Sequence, residues 1–219
     1  MNIFNKILLN LFSRTLKKNT KFKDVHKGES CYIFGNGSSL KYYDLKLFNE
    51  KASIGCGALF MHKDFRHLNL KYYYVAHPLF FYKFWKNPYS KRYERNKVGA
   101  FYRKNMAFFP ETQYFTSLSN YYGIQGDNIN YVYHFGQRDG VSVDNQLDEV
   151  FSMMEGSLRG MIGVALYLGF TDITLVGCDY TFAPKMFGHF YERGPEKRKK
   201  GSAFLVTTLN LIKEKVTIR

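Results

Sequence analysis

Two short apolar runs, each closing on glycine, constrain the fold most. Cys31–Phe34 runs into Gly35-Asn36-Gly37, and Thr171–Val176 runs into Gly177-Cys178-Asp179. Runs of this length bounded by glycine read as buried strands. Ala52–Cys56, Lys71–Ala76, Asn130–His134 and Val216–Ile218 read the same way, as does Met106–Phe109, which Pro110 stops. Helices are expected from Ser38 or Ser39 through Phe48, over 79–97, over Gly156–Leu168 and over 202–213. This alternation predicts a Rossmann-like α/β fold: one domain with a mostly parallel twisted sheet, flanked by helices through right-handed crossovers.

The chain has 219 residues, 45% of them hydrophobic, enough for one substantial core. Aromatic residues reach 18%. They fit either an aromatic-rich core or a ring-lined cleft. The net charge of +14 favours an anionic partner: a phosphate-bearing substrate, an anionic membrane surface or nucleic acid. Basic residues cluster at Lys83–Lys104 and at Arg193–Lys200. No recognised nucleic-acid module accompanies them, so nucleic acid is not expected. Cys31, Cys56 and Cys178 lie inside apolar runs without zinc spacing, which fits buried thiols, no metal and a cytoplasmic location.

Residues 1–28 read as a basic amphipathic helix and linker, and 29–219 as the Rossmann-like domain. Phe4, Leu8, Leu11 and Phe12 share one helical face, widened by Ile7 and Leu16. Seven lysines and arginines stand there against Asp24 alone. Such a helix either packs on the domain or lies on an anionic membrane, here the inner face of the cell membrane. No run is long enough to span a bilayer. A homo-oligomer stays open.

Four motifs carry candidate chemistry. Gly35-Asn36-Gly37-Ser38-Ser39-Leu40 lets a ligand approach the backbone, with a following helix N-terminus to receive a phosphate. It equally fits a plain strand-to-helix turn. Glu155-Gly156-Ser157 opens an apolar helix and fits either a ligand or a cap. Gly177-Cys178-Asp179-Tyr180 stands at the carboxyl end of a buried strand, where open parallel sheets bind ligands. Asp179 fits a ribose hydroxyl, a metal or a loop cap. His189-Phe190-Tyr191 follows ten residues after Asp179, and a histidine placed there can act as a general base.

In this order the motifs resemble the bacterial sialyltransferases of glycosyltransferase family 42, from lipooligosaccharide biosynthesis. The likeness is carried by Ile33–Leu40, His77–Trp85, Gly156–Tyr180 and His189–Tyr191. It implies a Rossmann-like domain, a CMP-sialic acid donor and inverting transfer without a metal or other cofactor. Asn36 and Gly37 match the family's nucleotide-contacting pair, Ser157 its donor-binding serine and His189 its base. Gly35, Ser38, Gly156, Asp179, Tyr180 and Tyr191 complete the expected donor site. The family has asparagine where this chain has His77, and asparagine near Gly57. Its phosphate-binding tyrosine aligns with Thr181, one place after Tyr180, and its lid is longer. The implied acceptor is a surface glycan or glycolipid.

Two other readings share part of the pattern. The 6-hydroxymethylpterin diphosphokinase-like proteins, and motility accessory factors near them, show a similar glycine turn and strand block. A non-catalytic basic module on membrane or nucleic acid is the third.

Overall fold

The structure, a computed structural model, describes residues 3–84, 97–134, 146–152, 156–181, 185–192, 197–199 and 216–219. The strands in chain order are β1 (Ser30–Phe34), β2 (Ala52–Cys56), β3 (Leu70–Val75), β4 (Gln113–Ser117), β5 (Ile129–Val132), β6 (Asp172–Val176), β7 (Lys185–Phe187), β8 (Lys197–Lys199) and β9 (Thr217–Ile218). The α-helices are α1 (Ile3–Leu11), α2 (Ser13–Lys17), α3 (Lys97–Ala107) and α4 (Ser157–Leu168). Among the described residues seven strands form one sheet in the order β5-β4-β3-β2-β1-β6-β9. Every pairing in it is parallel. The expected Rossmann-like α/β architecture is what the chain adopts.

Side-chain alternation along the strands builds the two faces. Cys31, Ile33, Ile54, Cys56, Tyr72 and Tyr74 point to the face that α4 covers. Tyr32, Phe34, Tyr73, Val75 and Tyr114 point to the other. There they meet Leu40, Leu45, Leu59 and Phe60 from the connections, and Tyr102 and Met106 from α3. Most of the described aromatic rings are therefore core. Gly160 lets α4 lie on the Tyr74 ring, and a Cβ there would overlap the ring carbons.

Strands β2 to β5 step away from β1 on one side, and β6 and β9 on the other. That reversal makes the carboxyl ends of β1 and β6 a topological switch point, the place where open α/β sheets bind ligands. The ladder continues past the strands, with Gly35 N–H donating to Val176 and Gly37 N–H to Gly177, both at 2.8 Å.

Several local expectations are corrected. The segment after Ser38 is not an α-helix but two 3-10 turns, Ser38–Tyr42 and Leu45–Phe48. Met106–Phe109 is not a strand. Met106 and Ala107 end α3, where Tyr102 and Met106, four apart, face the core. The strand comes later, as Gln113–Ser117, and the two-stranded antiparallel ribbon β7–β8 is additional. The N-terminal helix breaks at Phe12. Its apolar residues divide: Leu8, Leu9, Phe12 and Leu16 pack against Leu118, Tyr131 and Tyr133, while Phe4, Ile7 and Leu11 are exposed. Residues 79–84 form turns rather than the start of a helix. The remainder of the expected 79–97 helix before Lys97, the 202–213 helix, Glu155, the cations Lys86, Lys91, Arg92 and Arg95 of the first basic cluster, and Arg193 and Lys200 of the second lie outside the described residues. Among the described residues no helix is long and apolar enough to cross a membrane.

A candidate ligand site at the carboxyl edge of the sheet

The β1 loop is held from both sides. Its Gly35 and Gly37 are buried against β6, and a Cβ at either would overlap the Gly177 carbonyl or the Asp179 carboxylate. Asp179 is 1% exposed. Its carboxylate accepts the Ser38 hydroxyl at 3.2 Å, the Ser39 N–H at 2.7 Å and the Ser39 hydroxyl at 2.5 Å. Among the three roles open to Asp179, the described contacts are those of a cap: it satisfies the start of the Ser38–Tyr42 turn across the β1–β6 seam.

Asn36 holds the opposite side. Its Nδ2 donates to the Cys56 carbonyl at 3.0 Å and lies 3.2 Å from the Cys56 thiol. Its Oδ1 accepts the Ala58 N–H at 2.8 Å. Both ends of the amide therefore tie the β1 loop to the β2 loop. Gly57 has a φ of +59°, and a Cβ there would stand 2.5 Å from Asn36 Nδ2. The asparagine amide fills the space a side chain at 57 would need.

The Cys56 thiol is the junction of this side. Burial pushes its pKa up to about 12, against the lowering effect of hydrogen bonds from Ser157 and Asn36. It is a protonated, packed thiol at neutral pH. Through it the structure brings Ser157, the first residue of α4, to Asn36. Gly156 precedes it with a φ of +80° and open space around it. Arg159 is buried in the first turn of α4, which a guanidinium tolerates only with partners. The Tyr74 hydroxyl is buried and makes no hydrogen bond with the described residues.

His189 reaches the same edge. It forms an antiparallel bridge with Gly37, and Phe190 N–H donates to the Asn36 carbonyl at 3.2 Å. Phe190 packs against His62, ring centres 5.6 Å apart. His189 Nδ1 lies 2.6 Å from Glu192 Oε1, and its backbone N–H donates to Oε2 at 3.2 Å. With a carboxylate at Nδ1, the ring proton belongs there and Nε2 is the basic nitrogen. The hydrogen bond from His189 holds the Glu192 carboxyl below its ordinary 4.5. Tyr191 stacks on the imidazole at 5.0 Å, and Tyr180 stands 6.0 Å from it. Burial, with Glu192 and Tyr180 nearby, pushes the Tyr191 hydroxyl up to about 12, so it is a proton donor at neutral pH. Thr181 turns back on the chain, its hydroxyl donating to the Cys178 carbonyl at 2.7 Å.

Gly35, Asn36, Gly37, Ser38, Asp179, Tyr180, Thr181, His189 and Tyr191 thus share one edge, with Gly156 and Ser157 joined through Cys56. His77 stands apart, beyond β3, two strands or about 10 Å from β1. Its ring stacks on Phe80 at 5.9 Å and its carbonyl accepts from Asn120. Desolvation against these neighbours lowers its pKa from 6.5. Glu192, Cys56 and Arg159 join the site without having been singled out for it in the sequence. Of these, Glu192 alone carried a signal, three residues after His189 in a turn. Among the described residues no three His, Cys, Asp or Glu side chains are grouped to hold a metal. No family model, curated protein or solved structure matches the chain.

Proposed function

We propose that the chain is a sialyltransferase-like glycosyltransferase, inverting and metal-independent, that moves a sugar from a CMP-activated donor to a surface glycan or glycolipid acceptor. The observation that supports this most is His189. A loop carries it back onto the glycine turn at the switch point, with its Nδ1 on Glu192 and its Nε2 available as base. The order of motifs, with its resemblance to family 42, supplies the donor class.

In this reading the acceptor hydroxyl gives its proton to His189 Nε2 while its oxygen bonds to the anomeric carbon. The bond from that carbon to the phosphate oxygen breaks, and CMP leaves with the electron pair. The Tyr180 and Tyr191 rings lie 6.0 and 5.0 Å from the His189 ring, and their hydroxyls would stabilise the growing phosphate charge. Asn36 and Asp179 act by fixing the loops that frame the donor, because their own polar atoms are engaged within the chain.

The test is calorimetric titration with CMP, UDP, GDP and ATP in EDTA, followed by turnover of His189→Ala. CMP should bind without metal. His189→Ala should lower turnover roughly 10²–10⁴-fold, the range for losing a general base, with CMP affinity unchanged. Preference for ATP with Mg²⁺ moves the chain to the diphosphokinase-like reading. Failure to bind any nucleotide leaves the non-catalytic reading.

A further inference from the structure

The bare face of α1 carries an inference independent of any chemistry at the carboxyl edge. At about 100° per residue, Ile3, Ile7, Leu11 and Phe4 fall within an arc of about 100°. They are 79%, 53%, 71% and 64% exposed. Leu8, Leu9 and Phe12 lie on the next arc and are packed. The helix is held in that orientation. Asn5 Oδ1 accepts the Tyr133 hydroxyl at 2.8 Å, and Phe12 meets Tyr121 edge-on at 5.3 Å. Asn19, buried just beyond α2, donates to the carbonyls of Tyr131 and Leu147. The packed arc thus covers the region of the edge strand β5, leaving the other arc to solvent.

The chemistry around the bare stripe has one sign. Residues 1–23 contain Lys6, Arg14, Lys17, Lys18, Lys21 and Lys23 and no aspartate or glutamate. All six cations are exposed. We infer that Ile3, Phe4, Ile7 and Leu11 form a membrane-docking face that inserts shallowly into an anionic lipid surface, with the flanking lysines and arginines on the headgroups. An apolar stripe without acids beside it fits lipid hydrocarbon below and anionic phosphate around it. The occupant is a bilayer surface rather than a spanning site, since α1 has nine residues.

Co-sedimentation of the full chain with vesicles tests this, using phosphatidylglycerol mixed with phosphatidylcholine against phosphatidylcholine alone. The chain should bind the anionic vesicles preferentially. Ile7→Ser with Leu11→Ser should weaken that binding at least about tenfold, since two large aliphatic groups no longer leave water. Both positions are exposed, so the thermal midpoint should hold, whereas Leu8→Ser should lower it. Lys17→Glu with Lys18→Glu should weaken binding as well. Raising salt from ~0.1 M to ~1 M, which shortens the screening length from about 10 Å to about 3 Å, should do the same. Undiminished vesicle binding by the Ile7→Ser, Leu11→Ser variant overturns the proposal. So does light scattering that shows a dimer which this variant converts to monomer, because a second copy then covers the stripe.

Discussion

Asp179 accepts the backbone N–H and the hydroxyl of Ser39, at 2.7 and 2.5 Å, across the seam where β6 meets β1. The carboxylate is the only described partner of that turn start and is buried. Removing it strands the donors of Ser38 and Ser39 in a dry site. Asp179→Ala should therefore cost about 3 kcal/mol, the scale for unpaired buried donors that had a charged acceptor. Urea unfolding measures it. Nucleotide affinity lost with stability intact would make Asp179 a ligand contact instead of a cap.

Gly160 and Tyr74 make a second pair. A Cβ at 160 would overlap the Tyr74 ring, so α4 could keep its place only by rising from the sheet. Gly160→Ala should destabilise by about 2 kcal/mol, as core overpacking does. Tyr74→Phe should act the other way. Its hydroxyl is buried and makes no hydrogen bond among the described residues, so removing it should raise stability by about 1 kcal/mol. Thermal unfolding of both variants checks the signs. A less stable Tyr74→Phe would mean that the hydroxyl is bonded in solution.

What was legible in the sequence followed local punctuation. Ala52–Cys56 ends before Gly57, and α4 lies between Gly156 and Gly169, so those limits could be read directly. Met106–Phe109 misled because four apolar residues before a proline suit a strand. Their true pattern is Tyr102 and Met106 on one helical face. The turn after Ser38 could not be read, because its capping carboxylate lies 140 residues away in sequence. The same holds for Asn36, whose amide is spent on Cys56 and Ala58. The edge that gathers His189 and Gly37 was legible from topology alone: strands ending on glycine share their carboxyl ends.

His77 should titrate below 6.5, because desolvation disfavours the imidazolium. Its folded pKa is the depressed one. Its contribution to stability is therefore present above 6.5 and is lost as pH falls through the folded value. Proton NMR of the ring should show that midpoint, and Phe80→Ala should move it back toward 6.5 by opening the stacked face. A midpoint above 6.5 in the native chain would refute the assigned cause.

Glu192 positions His189 from the surface, and its exposure sets the size of the effect. The side chains are 37% and 53% exposed, so water competes for the 2.6 Å contact. An exposed pair contributes about 1 kcal/mol at most, against several for a buried triad carboxylate. Under the proposed function, Glu192→Ala should therefore lower turnover only about fivefold, the rate equivalent of about 1 kcal/mol, and leave CMP affinity unchanged. Glu192→Gln keeps an acceptor for Nδ1–H and should fall between Ala and the native chain. The carboxyl titrates below 4.5 because its charged form is hydrogen-bonded. Its hold on the loop is thus complete above 4.5 and is lost as pH drops through the depressed value. A carboxyl-detected NMR titration should show the His189 amide moving with that same midpoint, since Oε2 accepts from it. If the amide ignores the titration, or Glu192→Ala costs as much as His189→Ala, then Glu192 is not a positioning residue and takes part in the chemistry itself or not at all.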